Sequence, residues 1–225
     1  AKIAHEHDAH LLVDGAQSVP HFRVDVQKIG CDYLAFSGHK MLGPTGVGVL
    51  YARNELLDNM EPLSIGGGTI NDVSLDHYEL AKSPMKFEAG TPPIAEAIGL
   101  GAAVDYLKEV QPENIEVHER ELMKRMYRGL LDVPGVEVYG PEKPEQRTGI
   151  VSFNVGDLNP HDVALALDVS ADIMVRSGHH CCLPLTKELL KRREGTARAS
   201  LYLYNTKEEV EKLISAVDEI ATSLA

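Results

Sequence analysis

LLVDGAQSVPHFRVDVQKIGCDYLAFSGHKMLGPTGVGVLY, residues 11–51, decides the fold. Leu11-Leu12-Val13 reads as a short buried strand that ends at Asp14. Val24 to Ile29 reads as a short helix. Tyr33 to Phe36 is a second buried run, ending at Ser37-Gly38-His39-Lys40, and Gly46 to Tyr51 is a third strand. Short apolar runs separated by helical segments predict a parallel sheet with crossover helices, the α/β class. Asp14 and Lys40 each follow a buried run, at a spacing that suits one strand-helix-strand crossover. Both then emerge at the carboxyl edge of one sheet, where open α/β folds bind ligands. A lysine beside an acid at that edge suits a Schiff-base cofactor, the amine forming an imine and the carboxylate keeping a pyridine nitrogen protonated. Periodicity by itself does not separate this from a strand-ending aspartate and a solvated lysine.

Outward from this stretch, the middle of the chain is loop-rich. Ile65-Gly66-Gly67-Gly68-Thr69 and Glu88-Ala89-Gly90-Thr91-Pro92-Pro93 both favour turns. The pattern then predicts a helix over 94–110, rich in small residues, and another over 112–131 with Ile115, Leu122, Met126 and Leu130 as its apolar stripe. Strands are expected at 136–139, 149–155, 173–175 and 199–204. Asn159-Pro160 is a helix start, an N-cap followed by proline at the first helical position. Thr206 and Glu209 fit a capping box. The helix after them places Val210, Leu213, Ile214, Val217, Ile220, Ala221 and Leu224 on one face. The expected organisation is part of an α/β domain over 1–93, a connecting helix over 94–110, and a small α+β domain over 111–225.

Composition narrows the function classes. The 225 residues are 44% hydrophobic and 25% charged, an ordinary globular balance that excludes disorder. The formal charge of −12 repels phosphate backbones and argues against a nucleic-acid partner. No apolar run approaches the roughly 20 residues needed to span a bilayer, and the opening AKIAHEHDAH lacks a targeting core. Cys31, Cys181 and Cys182 are too few for a disulfide framework; free thiols and a reducing, cytoplasmic compartment are expected.

The segment Arg176-Ser177-Gly178-His179-His180-Cys181-Cys182-Leu183-Pro184 concentrates reactive groups. A cysteine after two histidines is a candidate activated thiol, because a neighbouring imidazolium lowers thiol pKa. Four consecutive ligand-type residues cannot easily converge on one ion, so no metal is expected there. His5, His7 and His10 read as a solvated helix end, and Cys31 as a small buried hydrophobe.

Val13-Asp14-Gly15-Ala16-Gln17, Ser37-Gly38-His39-Lys40, Phe87-Glu88-Ala89-Gly90-Thr91-Pro92, Arg176-Ser177-Gly178-His179-His180-Cys181 and Ala197-Arg198-Ala199-Ser200 stand in an order and spacing that resembles the SufS-type (group II) cysteine desulfurases. These belong to the class V aminotransferase group of fold-type I pyridoxal-phosphate enzymes. The resemblance covers essentially the whole chain, and the Arg-x-Gly-His-His-Cys run separates it from the NifS/IscS branch. It implies a partial fold-type I large domain with a mostly parallel sheet, followed by a small C-terminal α+β domain. It also implies pyridoxal 5'-phosphate as cofactor, L-cysteine as substrate, L-alanine as product, and sulfur passed to an acceptor protein for iron–sulfur cluster assembly or related trafficking.

Position by position, the resemblance assigns Lys40 to the cofactor imine and to proton movement at the substrate Cα. Asp14 pairs with the pyridine nitrogen and Gln17 with the ring hydroxyl. Ser37 and His39 hold the phosphate, and Thr91 reaches the phosphate of a neighbouring subunit, which implies a homodimer. Arg198 binds the substrate carboxylate, with Arg176 orienting that site. Cys181 attacks the substrate sulfur and becomes a persulfide. Family members are considerably longer, so the chain corresponds to their C-terminal part; a separate complementing chain supplying the first half is one expectation, an inactive fragment another. Cys182 stands where the family has a small non-thiol residue. Selenocysteine lyase, a kynureninase-like lyase or an aminotransferase remain alternatives.

Overall fold

Why the chain turns back at Asp14 is visible in the first strands. In the computed structural model, which describes residues 1–224, α1 (Lys2–Glu6) leads to β1 (Leu12–Asp14), α2 (Val26–Ile29), β2 (Tyr33–Ser37) and β3 (Gly48–Ala52). β1 and β2 run parallel, with Asp14 beside Ala35. The crossover α2 opens where the Asp25 carboxylate accepts from the N–H groups of Gln27 and Lys28, and closes at Gly30, φ 71°. β3 runs antiparallel to β2, which corrects the expectation of a parallel third strand. The connection over residues 38–47 holds only a short 3-10 turn. A parallel return requires a crossover of about a dozen residues or more.

The loop-rich middle holds more order than its sequence shows. After α3 (Asn54–Asn59), β4 (Ile70–Val73) and β5 (Tyr78–Leu80) form an antiparallel hairpin. Asn71, Asp72, Val73, Tyr78 and Glu79 are all exposed, so no buried face imposes an alternating pattern. α4 (Ile94–Val110) completes the first unit, Ala1–Glu113.

The second unit begins at Asn114. α5 (Pro112–Leu131) precedes β6 (Val136–Tyr139), β7 (Ile150–Val155), α6 (Pro160–Ala171), β8 (Arg176–Gly178), β9 (Thr196–Ser200) and α7 (Lys207–Leu224). The four strands form an antiparallel sheet in the order β6-β7-β9-β8. Val151, Phe153, Val155 and Ala197 meet Met123, Met126 and Leu130 of α5, Val163 and Leu167 of α6, and Val210 and Val217 of α7 in one buried cluster. The caps act as their sequences require. The Asn159 side chain accepts from the His161 N–H. Glu209 N–H donates to Thr206 Oγ1 at 3.2 Å, and Thr206 N–H to Glu209 Oε2 at 2.9 Å. The side chain of Leu224, assigned above to the α7 face, lies outside the described residues.

Two strands shift along the chain, β8 to Arg176–Gly178 and β9 to Thr196–Ser200. Residues 173–175 are not a strand; β8 starts at Arg176. Asp172 closes α6 in the left-handed region and Ile173 N–H still donates to Leu167 O, so the chain is tied to the helix end through Ile173. β9 stops at Ser200 rather than at Tyr204. Asn205 Oδ1 accepts from Tyr202 N–H at 2.8 Å, and this side-chain turn replaces the ladder. Among the described residues, no helix is long and apolar enough to cross a membrane.

Asp32, unremarked in the sequence, is the most heavily partnered acid of the first unit. Its side chain is 2% exposed. It accepts from Leu11 N–H at 2.7 Å, lies 2.8 Å from His5 Nε2 and 3.3 Å from Arg53 Nη1, and His10 Nδ1 stands at 3.9 Å. His5, exposed in the last turn of α1 as its sequence suggests, thus also reaches the buried Asp32. The Leu11 N–H, then His5, hold the Asp32 carboxyl at about 2, against the pull of burial. A carboxyl depressed by folding stabilises the fold fully above its unfolded value of about 4, and that contribution is lost as pH falls toward about 2. Asp32→Asn is expected to lower Tm at neutral pH and to flatten its fall across that acid window. Thermal unfolding followed by circular dichroism at stepped pH reads this; equal slopes in both chains would discard the assignment.

Candidate functional site

In the first unit, one group of candidate residues is built on the carboxyl edge of β1 and β2. Asp14 ends β1, and Ser37 ends β2 two residues beyond Ala35, the partner of Asp14. His39 and Lys40 sit on the 3-10 turn that follows. That turn is pinned: Gly38 N–H donates to Val47 O at 2.9 Å, and Met41 and Gly43 N–H both donate to Gly38 O at 3.0 Å. A Cβ on Gly38 would meet Val47 Cγ1 at 2.8 Å, so only glycine lets the loop close on itself. A Cβ on Gly99 of α4 would lie 2.6 Å from Pro44 Cγ, so a bare helix surface seats the same loop. One Asp14 oxygen, Oδ1, accepts from Ala16 N–H at 3.0 Å. Lys40 and His39 are exposed, and their side chains have no hydrogen bond or ion pair among the described residues.

Gln17 is exposed two residues beyond Gly15. Thr91 is exposed on the turn before α4. The glycine run holds that turn: Gly90 N–H donates to Gly67 O at 2.8 Å, and Thr69 Oγ1, fully buried, closes on Gly66 at 2.9 Å. The run is thus a hydrogen-bonded brace and not a slack linker.

In the second unit, a separate group lies on β8, β9 and the loop between them. Arg176 and Arg198 are directly opposed in the ladder, so both side chains leave the same face of the sheet. Like charges in that position repel. Arg198 Nε is buried without a hydrogen-bond partner among the described residues, a costly state unless an anion arrives. The histidines are held by buried threonines: His179 Nδ1 lies 2.8 Å from Thr186 Oγ1, and His180 Nε2 lies 2.9 Å from Thr196 Oγ1. Burial first, then the charge of Arg198, pushes the His180 pKa down. His180 is therefore shifted toward its neutral form. Cys181 is exposed at the loop, φ 63°, and Cys182 is half-buried. Thr186 and Thr196 carried no sequence signal; only the fold brings them to the histidines. No three His, Cys, Asp or Glu side chains gather around a metal position among the described residues.

These residues fit a pyridoxal phosphate on the chemistry of the donor set. The Lys40 amine and the strand-end Asp14 carboxylate share one sheet edge, and the Ser37 hydroxyl and His39 imidazole flank the amine, the amine, hydroxyl and imidazole having no hydrogen-bond partner among the described residues.

The family model for aminotransferase class V matches residues 1–213. The chain belongs to this family. Within class V, it is 52% identical over 219 residues to a probable cysteine desulfurase of Halalkalibacterium halodurans, covering 97% of this chain and 52% of the relative. It is 50% identical over 226 residues to a probable cysteine desulfurase of Pyrococcus abyssi, covering 99% of this chain and 55% of the relative. The apo cysteine desulfurase of Thermococcus onnurineus NA1 superposes with a TM-score of 0.94 at 50% identity, over 99% of this chain and 55% of that one. The cysteine desulfurase CsdA of Escherichia coli gives 0.92 at 38% identity, over 100% and 54%. The chain spans about half the length of the relatives it matches. The α/β class expected from residues 11–51 is that of these cysteine desulfurase structures.

Proposed function

We propose that this chain carries the C-terminal part of a SufS-type cysteine desulfurase that uses pyridoxal phosphate and converts L-cysteine to L-alanine with sulfur held on Cys181. The carrying observation is the unpartnered Arg198 Nε opposite Arg176, on the two strands that launch the Cys181 loop. Such a pair suits a substrate carboxylate, and a bidentate guanidinium is the group that holds one in fixed orientation.

The cofactor, when bound, supplies an aldehyde for the Lys40 amine and a ring that takes up electrons from the substrate. Asp14 holds a proton on the ring nitrogen. Gln17 orients the ring hydroxyl, and Ser37 and His39 hold the phosphate. Lys40 moves a proton at the substrate Cα. Arg198 and Arg176 fix the substrate carboxylate. The Cys181 thiolate attacks the substrate sulfur: the S–S bond forms as the Cβ–S bond breaks, and Cβ takes a proton and leaves as alanine. Thr91, on a turn braced by Gly67, serves the phosphate of a second subunit in a homodimer. Leu183, Leu185 and Leu189 stay exposed on the Cys181 loop and suit the approach of an acceptor protein, which passes the sulfur on for iron–sulfur cluster assembly. Three free thiols suit the cytoplasm.

Borohydride reduction in the presence of pyridoxal phosphate tests the reading. Peptide mapping is expected to find the cofactor fixed to Lys40 and to no other lysine, and Lys40→Ala should stay unmodified. An unmodified Lys40 in the native chain counts against the proposal.

A further inference from the structure

Cys182 is a thiol that the reaction above does not use. It follows Cys181 directly, half-buried where Cys181 is exposed. Its N–H and its Sγ–H both donate to the His179 carbonyl, each at 2.9 Å. We propose that Cys182 is a resolving thiol for sulfur carried on Cys181, an assignment that rests on the desulfurase reading. The Cys182 thiolate attacks Sγ of the Cys181 persulfide. A Cys181–Cys182 disulfide bond forms, and the bond from Cys181 to its outer sulfur breaks. That sulfur leaves with the electron pair as hydrosulfide, its charge balancing the proton that Cys182 gave up. The outer sulfur is reduced and the two cysteine sulfurs are oxidised, so no outside oxidant enters.

The tether selects the inner sulfur. Displacement at sulfur holds the attacking, attacked and leaving sulfurs nearly in line. Attack on the outer sulfur would place attacker and leaving group in one short ring through the 181–182 peptide, where that line cannot be held. Attack on the inner sulfur leaves hydrosulfide outside the ring. Cys182 therefore discharges the sulfur and does not relay it.

The product is easily reversed. Consecutive Cα atoms stand about 3.8 Å apart across a trans peptide, below the roughly 4.4 Å at which usual disulfides begin. Strained disulfides are the readily reduced ones. The starting turn also carries strain: His180 at φ 52° and Cys181 at φ 63° are both left-handed without being glycine. Opening that turn frees the Cys182 thiol from the His179 carbonyl. A persulfide that meets no acceptor is then cleared as hydrosulfide, and a thiol reductant restores the pair.

Dithiobis-nitrobenzoate tests this on the native chain, because it places a leaving sulfur on the same Cys181 Sγ without any cofactor. Mass mapping should show the wild-type chain losing its adduct and becoming two hydrogens lighter than the dithiol, with the bond across residues 181–182. Cys182→Ser should keep the adduct on Cys181, with loss at least about tenfold slower, since the intramolecular attack is gone. A wild-type chain that keeps the adduct on either cysteine as long as Cys182→Ser overturns the proposal. The same comparison with L-cysteine and pyridoxal phosphate separates the two readings. No persulfide on Cys181 of Cys182→Ser sinks the desulfurase reading, whereas a persulfide equally lasting in both chains sinks the resolving role alone.

Discussion

Cys181→Ala is expected to abolish sulfide release from L-cysteine, by at least about a thousandfold, a loss of ~4 kcal/mol or more in transition-state stabilisation. The size follows from the chemistry: no other group on the loop can accept sulfur by the same displacement while the turn holds Cys182 against His179. The substitution should leave the fold intact. Cys181 is exposed, and alanine meets the same left-handed φ of 63° that cysteine does, so stability should change by no more than about 0.5 kcal/mol. Cofactor capture on Lys40 should also persist, because Lys40 belongs to the first unit and Cys181 to the second. This pairing separates the desulfurase from class V lyases and aminotransferases, whose chemistry needs no thiol at this position. Retained sulfide release by Cys181→Ala, with the cofactor on Lys40, would falsify the assignment of the thiol.

Local grammar carried much of this. The strand ends at Asp14 and Ser37 were legible because an apolar run stops at each, whereas the roles of Asp14 and Lys40 came from the family resemblance. The Asn159 and Thr206 caps were legible because capping is settled within a few residues. What the residue pattern could not show was whatever depends on pairing across the chain. The direction of β3 depends on how little chain joins it to β2, and the exposed β4–β5 hairpin leaves no alternation to read. Asp32 looks like an ordinary acid before a strand; its partners His5, Leu11 and Arg53 arrive from three separate segments. The histidines next to Cys181 suggested a charged neighbour; in the fold His180 lodges on Thr196, and burial first, then the charge of Arg198, pushes its pKa down. The Ala-Arg-Ala-Ser stretch by itself reads as half a strand. Its meaning comes from Arg176, which only the β8–β9 register sets opposite.

That register leads to the second large effect. Arg198→Met is expected to lower kcat/KM for L-cysteine by about a hundredfold or more, since a charge-assisted bidentate pair to a carboxylate contributes ~3 kcal/mol. Methionine keeps most of the length and apolar stem but removes every donor. A structural role predicts a different outcome. If Arg198 served mainly to hold the sheet, its loss would lower Tm and disturb cofactor capture on Lys40 along with turnover. The structure argues otherwise: Nε makes no internal hydrogen bond, and Arg176 stands opposite with like charge. Removing a buried donor that has no partner, and relieving a repulsion, should leave Tm unchanged or raise it. Substrate choice supplies the sharper readout. Cysteamine is cysteine without the carboxylate, so the native preference for cysteine over cysteamine should collapse in Arg198→Met, while Arg198→Lys should recover part of it as a point charge without the fork. An unchanged preference in the methionine variant would remove Arg198 from the carboxylate site, and with it the observation on which the functional proposal stands.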